Sequence, residues 1–197
     1  MLLRKGVYND KLSQLTYNLK ESIDSPTGIY LIKGENGVGK SRFIEGVLLK
    51  ELKKQDKSIL YFAQDIENQI LCYNLINLVK VFVETLKKQG SFFKTIFLND
   101  DSHNNIPLEF NDETTLTPTD DSKKSFIITE CSKYSNLDVV IFDEADKYFG
   151  KVEDFITFVE NLKCKHIFII SHLFKTEYQT LQLSSKEGGV NIELFNS

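Results

Sequence analysis

Residues 34–41 read Gly34-Glu35-Asn36-Gly37-Val38-Gly39-Lys40-Ser41 and fit the spacing G-x-x-x-x-G-K-[ST], which suits phosphate. Glycines let successive backbone N–H groups curl around phosphate oxygens, and a following helix points its positive end at them. In that arrangement Lys40 reaches the β- and γ-phosphates, Ser41 offers a hydroxyl to Mg²⁺, and Arg42 belongs to the same binding set. A second group lies about a hundred residues on, where the apolar run Val139–Phe142 ends on Asp143 and Glu144. A hydrophobic strand delivers such carboxylates to the sheet edge where ligands bind in open α/β folds. Asp143 is then the Mg²⁺ carboxylate, and Glu144 polarises the water that attacks a γ-phosphate. The competing reading, an acidic turn capping a helix, loses weight beside an intact phosphate loop.

Gln64 and His172 each follow an apolar run, so in a parallel sheet both emerge beside the phosphate loop and face the γ-phosphate. His103 lies in a polar segment and His166 at a strand start, neither with a visible partner.

These groups need a scaffold. Gly28–Lys33 reads as a buried strand feeding the loop, and Phe43, Val47, Leu48 and Leu52 recur at helical spacing behind it. Further strands are predicted at Ser58–Ala63, Leu137–Phe142 and His166–His172, with two more at Gln179–Leu183 and Val190–Phe195. Apolar positions 71, 75, 78, 79, 82 and 86 mark a long helix over 67–89, closed by Gly90. Asn99–Lys124, with Pro107 and Pro118, reads as loop, and helices are expected at Phe126–Ser132 and Val152–Leu162. Alternation of strands and helices predicts an α/β fold of the P-loop NTPase class, a mostly parallel sheet flanked by helices, in a single domain over 1–197 with a small helical subdomain inserted at about 66–132.

Composition is that of an ordinary globular chain, 41% hydrophobic and 26% charged. The net charge of −4, with lysines scattered among acids, gives no electrostatic case for sequence-independent nucleic-acid binding. Cys72, Cys131 and Cys164 are odd in number and far apart, as in neither a disulfide framework nor a zinc site. They read as reduced, mostly core residues. Early charges argue against a secretory signal, and no stretch has the ~18 apolar residues of a membrane span, so the expected location is cytoplasmic.

The order of these motifs resembles the ATP-binding-cassette ATPases over about Leu2 to Ser171. Residues 34–41 look like their Walker A loop, Tyr61-Phe62-Ala63-Gln64-Asp65 is similar to the glutamine loop, Val139–Glu144 to Walker B with its catalytic glutamate, and Ser171-His172 to the switch histidine. The resemblance implies ATP and Mg²⁺ as cofactors. It implies catalytic roles for Glu144, His172 and Gln64, with Gln64 also sensing the metal held by Ser41 and Asp143. It further implies an aromatic stacked on adenine, Tyr8 or its competitor Tyr17. Thr119–Lys124 stands where the family carries Leu-Ser-Gly-Gly-Gln, and Ser122 is the remaining match.

Three functions follow. The first is a cassette ATPase that dimerises on ATP and energises a membrane permease or exporter, peripheral to the inner face of the membrane, with the helix over 67–89 as docking element. The second is a soluble regulatory ATPase acting with a nuclease or on nucleic acid. The third, a small-molecule kinase, suits the sequence less, because Arg4 and Arg42 are the only arginines. Asp143-Glu144-Ala145-Asp146 also spells a helicase motif, but such helicases need a second domain that this length does not hold.

Overall fold

The structure, a computed structural model, describes residues 1–89, 109–110, 116–172 and 178–195. The expectations for Gly90, His103, Pro107 and most of the polar segment 99–124 lie outside the described residues.

Two compact units make up the chain, one from Met1–Gln64 with Glu130–Ser197 and one from Asp65–Thr129. In the first unit the strands are β1 (Gly6–Asn9), β2 (Thr16–Leu19), β3 (Gly28–Lys33) and β4 (Ile59–Phe62). In the second, β5 (Glu109–Phe110) and β6 (Leu116–Thr117) pair only with each other. The first unit resumes with β7 (Leu137–Asp143), β8 (Cys164–Ile170), β9 (Gln179–Lys186) and β10 (Gly189–Phe195). Its strands form one sheet in the order β1-β2-β10-β9-β3-β8-β7-β4.

That sheet corrects the expected P-loop NTPase architecture with a mostly parallel sheet: it is mixed. β1 runs antiparallel to β2 and β9 antiparallel to β10, and these four strands form one half of the sheet. Connection length is the physical reason. Antiparallel neighbours are joined by tight turns, whereas parallel neighbours need a long crossover, and β9 and β10 are separated by only Glu187 and Gly188. Parallel pairing joins β2 to β10, β9 to β3, β3 to β8, β8 to β7 and β7 to β4.

Helix α1 (Lys40–Phe43) continues without a break through a π-helical stretch, Ile44–Leu48, into α2 (Leu49–Lys54). Its residues Phe43, Ile44, Val47, Leu48 and Leu52 are buried in the same cluster as Tyr17, Tyr30, Ile32, Val139, Ile141 and Phe168. The alternate residue Phe142 meets Phe155 and Phe158 of α5 (Val152–Glu160) at 5.2 and 6.2 Å. Strand β7 is therefore buried on both faces, which is why it reads as an unbroken apolar run.

In the second unit α3 (Ile66–Gln89) and α4 (Asp120–Ser132, whose last residues belong to the first unit) are tied by a 2.6 Å ion pair between Lys123 and Glu67 and by the edge-on rings of Tyr73 and Phe126. Helix α4 starts where the sequence reads as loop. Thr119 explains this, since its Oγ1 accepts the Ser122 N–H at 3.2 Å as a capping residue does, and Asp120 and Asp121 complement the helix dipole. Of the expected apolar stripe on α3, Leu71 and Leu75 are exposed, and Ile66 and Ile70, outside that stripe, are buried; the side chains at 78, 79, 82 and 86 lie outside the described residues. Among the described residues no helix is long and apolar enough to cross a membrane.

Candidate functional site

Strand β3 ends at Lys33, and the chain turns through 34–39 into α1. Gly39 takes φ +99° at the helix start, and a Cβ there would lie 2.7 Å from the Tyr17 hydroxyl. Gly37, at φ +79°, has open space where a Cβ would be, so one glycine makes room for the fold and the other leaves room for a ligand. Lys40 Nζ folds back over the loop, donating to the carbonyls of Gly34 at 2.9 Å and Glu35 at 3.1 Å. Val38 is buried and anchors the turn.

Beside the loop lies an open cleft of about 470 Å³ lined by Asn36, Gly37, Gly39, Lys40, Ser41, Arg42, Gln64, Glu144, Ile170 and His172. Residues from the phosphate loop and from the ends of β4, β7 and β8 thus meet in one place, because those strands are parallel neighbours and end on the same side.

Glu144 sits at the centre. Its φ of 55° places a non-glycine residue in the left-handed region, at a cost of about 1–2 kcal/mol, and its backbone N–H is held by the Ile170 carbonyl at 2.9 Å. Gln64 Nε2 donates to Glu144 Oε2 at 3.0 Å. His172 Nε2 lies 3.4 Å from Glu144 Oε1, and Lys147 Nζ lies 3.6 Å from Oε2. One hydrogen bond and two nitrogens within ion-pair range converge on one carboxylate.

Asp143 is 1% exposed, and among the described residues no group completes a hydrogen bond to either carboxylate oxygen. Burial pushes its carboxyl above the usual carboxylate range; the Ser41 hydroxyl is near enough to act in the opposite sense without bonding geometry, and the Glu144 charge adds to the rise. A buried carboxylate so placed is costly unless a cation compensates it. Asp143 and Ser41 therefore fit Mg²⁺. Among the described residues no three His, Cys, Asp or Glu side chains gather as a metal cage.

Tyr61 also lies here, its hydroxyl 3.4 Å from Glu45 Oε1. Burial raises its phenol well above the ordinary range, helped by the charges of Asp143 and Glu45.

The proposed adenine partners lie elsewhere. Tyr8 is on β1, its hydroxyl donating to the Arg4 carbonyl, and it does not line this cleft. Tyr17 is fully buried and donates to the Gly39 carbonyl at 2.9 Å, so it braces the phosphate loop. Ser122 is buried, sharing a hydrogen bond with Thr119 at the start of α4. His166 is buried beneath the ring of Tyr30.

Two residues with no assigned role prove to be neighbours of the site. Asp146, buried, accepts a 2.6 Å hydrogen bond from Ser171, and Lys147 pairs with Glu144 as described. Both stand within three residues of Glu144, and that proximity was the available signal.

Comparison of the chain with protein-family models and with curated proteins finds no match.

Proposed function

We propose that the chain binds a magnesium–nucleoside triphosphate, ATP, in the cleft beside Lys40 and hydrolyses it. The observation that carries this reading is the convergence of a glycine-rich loop, Lys40, Ser41 and the Glu144 carboxylate in one cleft, with the buried Asp143, whose carboxylate has no hydrogen-bond partner among the described residues, directly preceding Glu144. Loop N–H groups and Lys40 bind the phosphates, and Ser41 and Asp143 hold the cation. Bound there, Mg²⁺ supplies positive charge to the phosphate oxygens.

Glu144 takes a proton from a water as the water oxygen bonds to the γ-phosphorus. The bond from that phosphorus to the bridging oxygen breaks, and the nucleoside diphosphate leaves with the electron pair. Gln64 and His172, both within bonding reach of Glu144, orient its carboxylate and the water. Coupling of hydrolysis to a membrane permease, with dimerisation on ATP, rests on the four local motifs and not on the sheet. Free cysteines support a cytoplasmic setting.

The test is Glu144→Gln against Lys40→Ala. Glu144→Gln retains ATP binding while phosphate release falls by roughly 10²–10⁴-fold. Lys40→Ala weakens binding by roughly 10–100-fold. Equal loss of binding in both variants refutes the role given to Glu144.

A further inference from the structure

A second open groove, of about 830 Å³, lies between edge strand β1 and the helix that follows the phosphate loop. Lys11, Lys50, Lys53 and Lys54 line it, with Glu51 as the acidic member. In a chain of net charge −4 this is a local concentration of positive charge. Glu51 is paired with Lys54 at 2.6 Å, which leaves Lys11 and Lys53 without an ion pair among the described residues, and the other acid is turned inward. Asp10 is 1% exposed, accepts from the Ser13 hydroxyl at 2.6 Å and the Leu12 N–H at 3.2 Å, and meets Lys50 at 3.5 Å.

Gly46 makes that burial feasible, since a Cβ there would lie 2.5 Å from Asp10 Cγ. The clamp pins the turn 10–13 against the lysine-bearing helix. Leu12 on that turn, 80% exposed, and Val7 on β1, 64% exposed, stand as bare aliphatic side chains, Leu12 next in sequence to Lys11 and Val7 lining the groove with the lysines. Tyr8, which also lines the groove, adds an aromatic ring with a polar tip.

Aliphatic tips, an amphipathic aromatic and a lysine cluster are what an anionic bilayer surface selects. The acyl boundary takes the apolar groups, and the lysine stems reach headgroup phosphates. A nucleic acid would use the lysines and the ring but leaves Leu12 and Val7 no partner. We propose that this face, β1 with the 10–13 turn and the lysine side of α2, docks the protein peripherally on an anionic lipid surface. The inference does not depend on ATP hydrolysis.

The experiment is co-sedimentation of the full chain with phosphatidylcholine vesicles, with and without phosphatidylglycerol, at low and raised salt. Wild type binds the anionic vesicles, and salt weakens the binding. Lys11→Glu combined with Lys53→Glu lowers the partition by on the order of 30-fold or more; among the described residues neither lysine has an ion pair, so the fold tolerates the change. Leu12→Ser lowers it as well, which a purely electrostatic contact would not show. Circular dichroism of each variant confirms folding. Absence of anionic-vesicle binding at low salt overturns the proposal. So does tighter binding of a single-stranded oligonucleotide that Leu12→Ser leaves unchanged.

Discussion

Ser171 Oγ donates a 2.6 Å hydrogen bond to the buried Oδ2 of Asp146, joining the residue after β8 to the short 3₁₀ helix Ala145–Phe149 that follows β7. The backbone bond from Glu144 N–H to the Ile170 carbonyl runs beside it. Together they hold the segments that carry His172 and Glu144 in a fixed relation.

Asp146→Ala therefore leaves nucleotide binding nearly intact and lowers kcat by roughly 10-fold or more, because Glu144 and His172 lose their mutual register. It also costs about 1–3 kcal/mol by removing a buried hydrogen bond to a carboxylate. Asp146→Asn, which keeps an acceptor, restores most of the rate. Nucleotide titration, steady-state phosphate release and thermal melts separate the effects, and a loss of binding as large as the loss of kcat contradicts the positioning role.

Asp143→Asn trades function for stability. A carboxyl whose pKa is raised by folding stabilises fully only below its unfolded pKa, and that contribution is lost as pH rises through the folded value. At neutral pH the metal-free wild type thus carries a penalty that the amide lacks. The variant gains about 1–2 kcal/mol without Mg²⁺ and loses the stabilisation that Mg-ATP confers on the wild type. Calorimetry with and without Mg-ATP decides it; an unchanged Mg-ATP shift in the variant is the contrary result.

Tyr17→Phe removes the brace on the Gly39 carbonyl and costs about 1 kcal/mol, with ATP affinity falling by a few-fold. Gly39→Ala is worse, since it combines a positive φ with a contact 2.7 Å from the Tyr17 hydroxyl, and is expected to cost more than about 2 kcal/mol. Chemical denaturation of both variants checks the order, and an equal or reversed order would discredit the brace.

His166 makes stability pH-dependent. Burial lowers its pKa from 6.5 to about 4, with the Lys57 charge as the next cause. Between these values the unfolded chain binds more protons, so stability rises with pH there and is lost as pH falls from 6.5 toward 4. The loss is on the order of 2–3 kcal/mol at most. His166→Phe, filling the same space under Tyr30, flattens the unfolding midpoint over that window; an unaltered slope would assign the acid sensitivity to other groups.

The phosphate loop and the acidic strand end were legible because each is a local device. Spacing alone places Lys40 and Ser41 at a helix start, and an apolar run buried on both faces carries its own signature at Val139–Phe142. Strands β1 and β2 were not legible. Each has only four residues, too short a run for a period-two pattern to stand out from loop. Helix α4 was expected only from Phe126 to Ser132, and its start at Asp120 was missed because Thr119, Asp120 and Asp121 look like turn residues when they are a cap and a first turn.

By itself the sequence determined which residues could meet phosphate and metal, since glycine spacing, a lysine before a serine and paired carboxylates after a strand are properties of short segments. Tertiary structure alone decided the mixed sheet, because strand partners are chosen by connection length and burial across the whole chain. It also removed Tyr17 from any ligand by burying it against Phe43, turned Asp10 inward beneath a lysine-lined groove, and bound Asp146 to Ser171. The Asp146 and Asp10 contacts join positions 25 and 40 residues apart, and the pairing of β2 with β10 joins positions 173 apart, where sequence spacing carries no geometric information.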